Sequence, residues 1–225
     1  AVINPGDEVL IPSPYWVSYQ PMVQLAGGIP VIIPLNEEDD FDLDPAILSR
    51  YATDRTRMIV INSPSNPAGS LFSDRALQAV GRMALERGWL IITDDIYETI
   101  AYLDTGLPHI LDVDPRLREQ TVVLNGVSKS FAMTGWRIGY CAGPGHIFKA
   151  MNKIQSQSTS NPCAPAQYAA LAALTGPQDF PRTMQQAFLP RRDFFVEDLR
   201  SIAGVSCVNP KGAFYVFPNF SAYYG

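Results

Sequence analysis

The sequence predicts an α/β fold: a mostly parallel sheet with helices on both faces, then the start of a small α+β domain. Three observations carry this. Short apolar runs recur between residues 8 and 143 and are nearly continuous rather than alternating, as strands buried on both faces require. Turn residues and helical patterns separate several of these runs, the arrangement that builds a parallel sheet. Beyond residue 145 the texture changes to a polar stretch, an alanine-rich one and then an aromatic run.

The elements follow in order. "EVLIPS" (8–13) is the first strand, "VSYQPMVQLAG" (17–27) a helix and "IPVIIPL" (29–35) the second strand. "DPAILSRYA" (44–52) is helical and "RMIVINS" (57–63) is a strand. "SDRALQAVGRMALERG" (73–88) is the clearest helix, with Ser73 as N-cap and Gly88 as C-cap. Leu77, Val80, Ala84 and Leu85 share one face of it. "WLIITDD" (89–95) and "TVVLNG" (121–126) are further strands. "IGYCAG" (138–143) follows after only a loop, which suits an antiparallel neighbour. The polar "KIQSQSTSNPCAP" (153–165) runs into "AQYAALAAL" (166–174). A long helix is expected over 184–204, kinked or broken at Pro190, with a hairpin over 205–220 that opens a second domain. The expected division is a large domain over 1–189, then a linking helix and the beginning of a small domain over 190–225. Both ends fall in mid-pattern, so the chain is expected to be the interior of a longer protein.

With 225 residues there is room for one large domain or a domain and a half. A hydrophobic content of 47% against 17% charged residues marks a folded chain. The net charge of −5 offers no field for nucleic acid or an anionic membrane, so any anion must be held by a local arrangement. No apolar run approaches the roughly 18 residues of a membrane span, and "AVINPGDEVL" does not read as a signal peptide. Cys141, Cys163 and Cys207 lie far apart without a CxxC pair, which fits reduced core thiols in a cytoplasmic protein.

Parallel α/β sheets bind ligands at the C-terminal ends of their strands. The polar and aromatic residues expected there are Trp16 in "PYW", Asn66 in "NPAG", Asp94 and Tyr97 in "TDDIYE", and Lys129 in "GVSKS". Asp94 is either a solvated strand-end carboxylate or a buried one holding a proton on a heterocyclic nitrogen; Asp95 points the other way along an extended chain. Lys129 is either a surface lysine or a partly desolvated amine suited to Schiff-base chemistry. Arg137 offers a planar fork for a phosphate or for an ordinary salt bridge. Trp16 is a core aromatic or the face on which a flat ring stacks. Asn66 serves its turn or donates to a phenolic oxygen. A flat ring with a protonatable nitrogen, a phenolic oxygen, an aldehyde and a phosphate describes pyridoxal 5′-phosphate.

Taken in order, "PGDEVLIPSPYWVSY", "NSPSNPAG", "TDDIYE" and "GVSKSFAMTGWRIGY" resemble the class I/II aminotransferases of fold type I, in their aspartate aminotransferase-like branch. The resemblance covers the whole chain. It implies that Lys129 forms the internal aldimine with pyridoxal 5′-phosphate and moves the proton during transfer. It implies that Asp94 pairs with the ring nitrogen, that Tyr97 and Asn66 bond the ring oxygen, and that Asn66 also touches the substrate. Trp16 would stack on the ring at the substrate side, and Arg137 would hold the phosphate. "NPAG" stands where "NPTG" is more usual, and Gly126 where many relatives carry a phosphate-binding serine, for which Ser128 would substitute. The family implies an amino acid and a 2-oxo acid as substrates, a ping-pong cycle and a homodimer, toward whose second site "STSNP" (158–162) would reach. The family's glycine-rich phosphate segment and its carboxylate-binding arginine have no counterpart in these 225 residues, so this stretch alone is expected to be poorly active.

Two other readings share part of this pattern. A carbon–sulfur lyase of the same fold uses all the same motifs and is told apart by release of pyruvate and ammonia. A cofactor-binding effector domain of a transcription regulator would show a winged-helix segment upstream. A nucleotide-binding reading fails, because no GxGxxG follows the first strand.

Overall fold

The structure, a computed structural model, describes residues 1–224. Six strands form the main sheet: β1 (Glu8–Ser13), β2 (Ile29–Pro34), β3 (Thr56–Asn62), β4 (Leu90–Asp94), β5 (Thr121–Gly126) and β6 (Gly139–Ala142). Their order is β2-β1-β3-β4-β5-β6. The first five are parallel, and β6 runs antiparallel to β5, pairing Gly126 with Gly139. Expected and observed strands agree to within a residue or so at each end.

The helices are α1 (Tyr19–Leu25), α2 (Pro45–Tyr51), α3 (Asp74–Arg87), α4 (Ile110–Val113), α5 (Val127–Ser130), α6 (Gly145–Ser156), α7 (Ala164–Thr175) and α8 (Asp179–Ser201). Period-two strand geometry sends alternate residues to opposite faces. Leu10, Ile33, Ile59, Ile61 and Ile91 face α2 and α3 and pack with Leu48, Leu77, Val80 and Ala84. Val9, Ile11, Met58 and Val60 face the other way and pack with Tyr19 and Val23 of α1. Helix α3 begins where the Ser73 hydroxyl accepts from Ala76 N and ends at Gly88, whose φ of 67° is the left-handed conformation that favours glycine.

Of the kink or break expected at Pro190, the break does not occur: α8 runs unbroken through it and begins at Asp179, earlier than the pattern suggested. Contacts on both sides of the proline hold the helix. Gln185 donates to Ala101 O, Arg192 to Pro210 O at 3.0 Å and Arg200 to Cys207 O at 2.6 Å. Tertiary anchoring thus outweighs the hydrogen bond that proline removes. Of the three cysteines expected in the core only Cys207 is buried; Cys163 is exposed and Cys141 lies between, on the edge strand β6. The expected hairpin is short. Only β7 (Ser206–Cys207) and β8 (Pro218–Asn219) pair, and the chain between them turns back to bridge Ala101 through Gly212.

The strand order reverses direction at β1, since β2 lies on one side of it and β3 on the other. The end of β3 therefore stands next to the segment that leaves β1, and the ends of β4 and β5 follow along the same edge. That crevice is where an open α/β sheet places a ligand.

Candidate active site

A cavity of about 580 Å³ occupies this crevice, and all seven residues singled out in the sequence line it: Trp16, Asn66, Asp94, Tyr97, Ser128, Lys129 and Arg137. Each arrives by a local cause. Trp16 precedes α1; Asn66 follows β3, its turn set by Asn66 N donating to Asn62 Oδ1 at 2.8 Å. Asp94 closes β4, and Tyr97 sits in the turn that follows. Ser128 and Lys129 lie in α5, directly after Gly126.

Asp94 is half-buried, and its carboxylate accepts from the Tyr19 hydroxyl at 2.5 Å and from Ile96 N at 3.4 Å. Burial pushes its pKa up, against the lowering effect of those two donors. Among the described residues it takes part in no ion pair. A carboxylate so placed gains from a cationic donor entering the cavity. Asp95 faces the opposite way. It is buried with Thr93 Oγ1 donating at 2.6 Å and His109 Nε2 at 2.9 Å, and it does not line the cavity.

Of the chain's four lysines, Lys129 alone lines the cavity; Lys149, Lys153 and Lys211 are exposed. Its Nζ lies 5.8 Å from the centroid of the Phe214 ring. The turn that presents it is tight: a Cβ on Gly126 would stand 2.9 Å from Ile138 O and 3.2 Å from Gly139 Cα. Arg137 is exposed, has a φ of 55° and donates from Nη1 to Thr134 O at 2.9 Å. Among the described residues no carboxylate pairs with it. A left-handed non-glycine residue is costly and is held by its surroundings, here at the mouth of the cavity.

Of the cavity residues not singled out in the sequence, Tyr19, Asn62 and Tyr215 bond directly to the predicted ones. Tyr19 supplies the donor to Asp94, and burial beside that carboxylate pushes its own hydroxyl far up. Asn62 donates to Asp94 O at 2.7 Å. Tyr215 meets the Tyr97 hydroxyl at 2.8 Å, and burial pushes the Tyr97 phenol well above its ordinary value. The "PYWVSY" run held a signal for Tyr19, three residues after Trp16 and one helical turn away. Nothing local marked Tyr215, 118 positions from Tyr97.

The arrangement offers an amine, a guanidinium, a buried carboxylate, phenol and amide donors, and an indole face around one space. Such a set can hold an anionic, flat, heteroaromatic aldehyde.

Residues 1–223 match the family model described as aminotransferase class I and II. The chain is 49% identical over 218 residues to an aspartate aminotransferase of Geobacillus stearothermophilus, covering 97% of this chain and 56% of that protein. It is 53% identical over 220 residues to an aspartate/prephenate aminotransferase of Nitrosomonas europaea, covering 96% and 55%. An aspartate aminotransferase of Thermus thermophilus solved with maleate superposes with a TM-score of 0.91 at 41% identity, covering 98% of this chain and 57% of that one. An aromatic aminotransferase of Pyrococcus horikoshii gives 0.92 at 40%, covering 96% and 58%. The chain thus spans a little over half the length of these relatives.

Proposed function

The chain belongs to the class I and II aminotransferase family, in its aspartate aminotransferase branch, and we propose that its protein moves an amino group between an L-amino acid and a 2-oxo acid. The observation that carries this is the gathering of Lys129, Asp94, Tyr97, Asn66, Trp16, Arg137 and Ser128 around one cavity. The family uses pyridoxal 5′-phosphate, which when bound supplies an aldehyde to hold the amino group and a ring that draws electrons from the substrate's α-carbon. The residues present suit it, because a half-buried carboxylate and a guanidinium, neither in an ion pair among the described residues, face the same space as the cavity's one lysine.

Lys129 Nζ is the amine that would hold the group by its aldehyde and the base that would move the proton at the substrate's α-carbon. Asp94 would hold a proton on the ring nitrogen, with Tyr19 keeping the carboxylate oriented. Tyr97 and Asn66 would donate to the ring oxygen, and Asn66 would also contact the substrate carboxylate. Trp16 would cover the ring face and bound the substrate, and Arg137 with Ser128 would hold the phosphate.

The substrates are free small molecules. The net charge of −5 does not suit nucleic acid, and no helix among the described residues is long and apolar enough to cross a membrane. A cytoplasmic homodimer fits the family and the exposed Tyr168 (73%) and Leu171 (55%) on α7, which an apolar partner surface would cover. The aspartate and aspartate/prephenate names of the relatives support an acidic amino acid as donor. The test is to add glutamate, then separately aspartate, to the full-length cofactor-loaded protein and assay for the matching 2-oxo acid. Pyruvate and ammonia from cystathionine, with no 2-oxo acid from either donor, would reassign it as a lyase.

A further inference from the structure

The segment from Lys211 to Tyr215 lies outside the main sheet, yet backbone bonds fix it on two sides. Lys211 N and Gly212 N both donate to Gly69 O, at 2.8 and 3.0 Å, at the end of the turn that begins with Asn66. On the other side Ala213 N donates to Ile100 O at 2.7 Å, and Tyr102 N to Lys211 O at 2.8 Å. These two loops carry Asn66 and Tyr97. The clamp has no slack: a Cβ on Gly212 would stand 2.5 Å from Pro64 Cγ, and one on Gly69 would stand 2.6 Å from Gly212 O. What the clamp delivers is the Tyr215 hydroxyl, 2.8 Å from that of Tyr97, with the rings edge to face at 5.7 Å and both lining the cavity.

We propose that Tyr215 is a positioning residue for Tyr97: its hydroxyl donates to the Tyr97 oxygen and leaves the Tyr97 proton directed into the cavity. Each phenol has one proton, so only one of the pair can donate to the other. Were Tyr97 the donor, its proton would be occupied and could not reach a ring oxygen. A phenol that accepts one hydrogen bond also donates a stronger one, because bonds in a chain polarise each other. Tyr215 therefore strengthens the donor that the proposed function assigns to the ring oxygen, and this inference rests on that assignment. It also makes the C-terminal segment part of the site's electrostatics, since displacement of residues 211–215 would withdraw the donor.

The test uses full-length protein with Tyr215→Phe, Tyr97→Phe and the double variant. Each is loaded with pyridoxal 5′-phosphate, and its visible absorption band is titrated against pH; cofactor affinity is measured by adding it back to the stripped protein. A weaker donor to the ring oxygen destabilises the deprotonated chromophore, so Tyr215→Phe should move the spectral midpoint to higher pH, as Tyr97→Phe does but by less. In the Tyr97→Phe background Tyr215→Phe should add nothing. A Tyr215→Phe midpoint equal to the parent's, or a full shift persisting without Tyr97, overturns this assignment. Absence of any cofactor band in the parent, or no response to Tyr97→Phe, overturns the cofactor reading and this inference with it. Thermal melts of the stripped variants should match the parent closely, since the phenylalanine keeps the ring contacts.

Discussion

The Tyr19 hydroxyl donates to Asp94 Oδ2 at 2.5 Å, joining the first residue of α1 to the last residue of β4. The other bond to that carboxylate, from Ile96 N, is long at 3.4 Å. Tyr19 is therefore the main donor among the described residues that favours the charged form of this half-buried carboxylate and aims it.

Tyr19→Phe removes that donor and leaves the carboxylate underprovided. The expected loss is about 1–3 kcal/mol of folding stability at neutral pH, read from urea denaturation of the stripped protein. Because the Tyr19 bond lowers the Asp94 pKa, its removal raises it further, and the deficit should shrink in acid as the carboxyl takes its proton. A deficit that stays constant with pH would point to lost packing instead.

Asp94→Asn should act in opposite directions on stability and on binding. The folded pKa of Asp94 is raised, so the stability its protonated form lends is full below the ordinary value and is lost as pH rises from there toward the folded one. The asparagine keeps an acceptor for Tyr19 without the charge. The stripped variant should therefore melt above the parent at neutral pH, with the gain vanishing below the ordinary aspartate value of 3.8. Cofactor affinity should fall sharply. A variant less stable than its parent at neutral pH would contradict the burial argument.

His109 and Asp95 form a second pair on the far side of β4, with Nε2 2.9 Å from Oδ2. The hydrogen bond to Asp95 raises the His109 pKa, outweighing burial. A raised histidine stabilises fully below its unfolded value of about 6.5, and that contribution is lost as pH rises through the folded value. His109→Ala should cost on the order of 1–3 kcal/mol in mild acid, with the gap narrowing in alkali. Denaturation curves at several pH values check the sign, and a gap that widens with pH would refute it.

Gly126→Ser tests whether a serine could serve at that position in this chain. Its Cβ would meet Ile138 O and Gly139 Cα at 2.9 and 3.2 Å, both backbone atoms that cannot swing aside. The expected cost is about 1–3 kcal/mol, with no gain in cofactor affinity. Tighter cofactor binding at unchanged stability would show that β5 and β6 can part.

Much of this was legible in the sequence, for physical reasons. Buried parallel strands need unbroken apolar runs, and Ser73 and Gly88 bracket α3 by capping chemistry that acts over a few residues. Lys129, Asp94 and Asn66 could be placed together because strand ends in a parallel sheet share an edge. What could not be read depends on contacts between distant segments. Pro190 looked like a break because its neighbours in sequence say nothing of Ala101 and Pro210, which anchor α8 on either side. Tyr215 reaches the site only because Gly69 and Gly212 let two turns interlock.

The proposed function depends on the Lys129 amine meeting an aldehyde opposite Asp94. The most direct measurement is borohydride reduction of the full-length protein loaded with pyridoxal 5′-phosphate, followed by peptide mass mapping. The reduced adduct should fall on the peptide bearing Lys129 and be absent from Lys129→Ala. An adduct on Lys149, Lys153 or Lys211, or one that survives in Lys129→Ala, would contradict it.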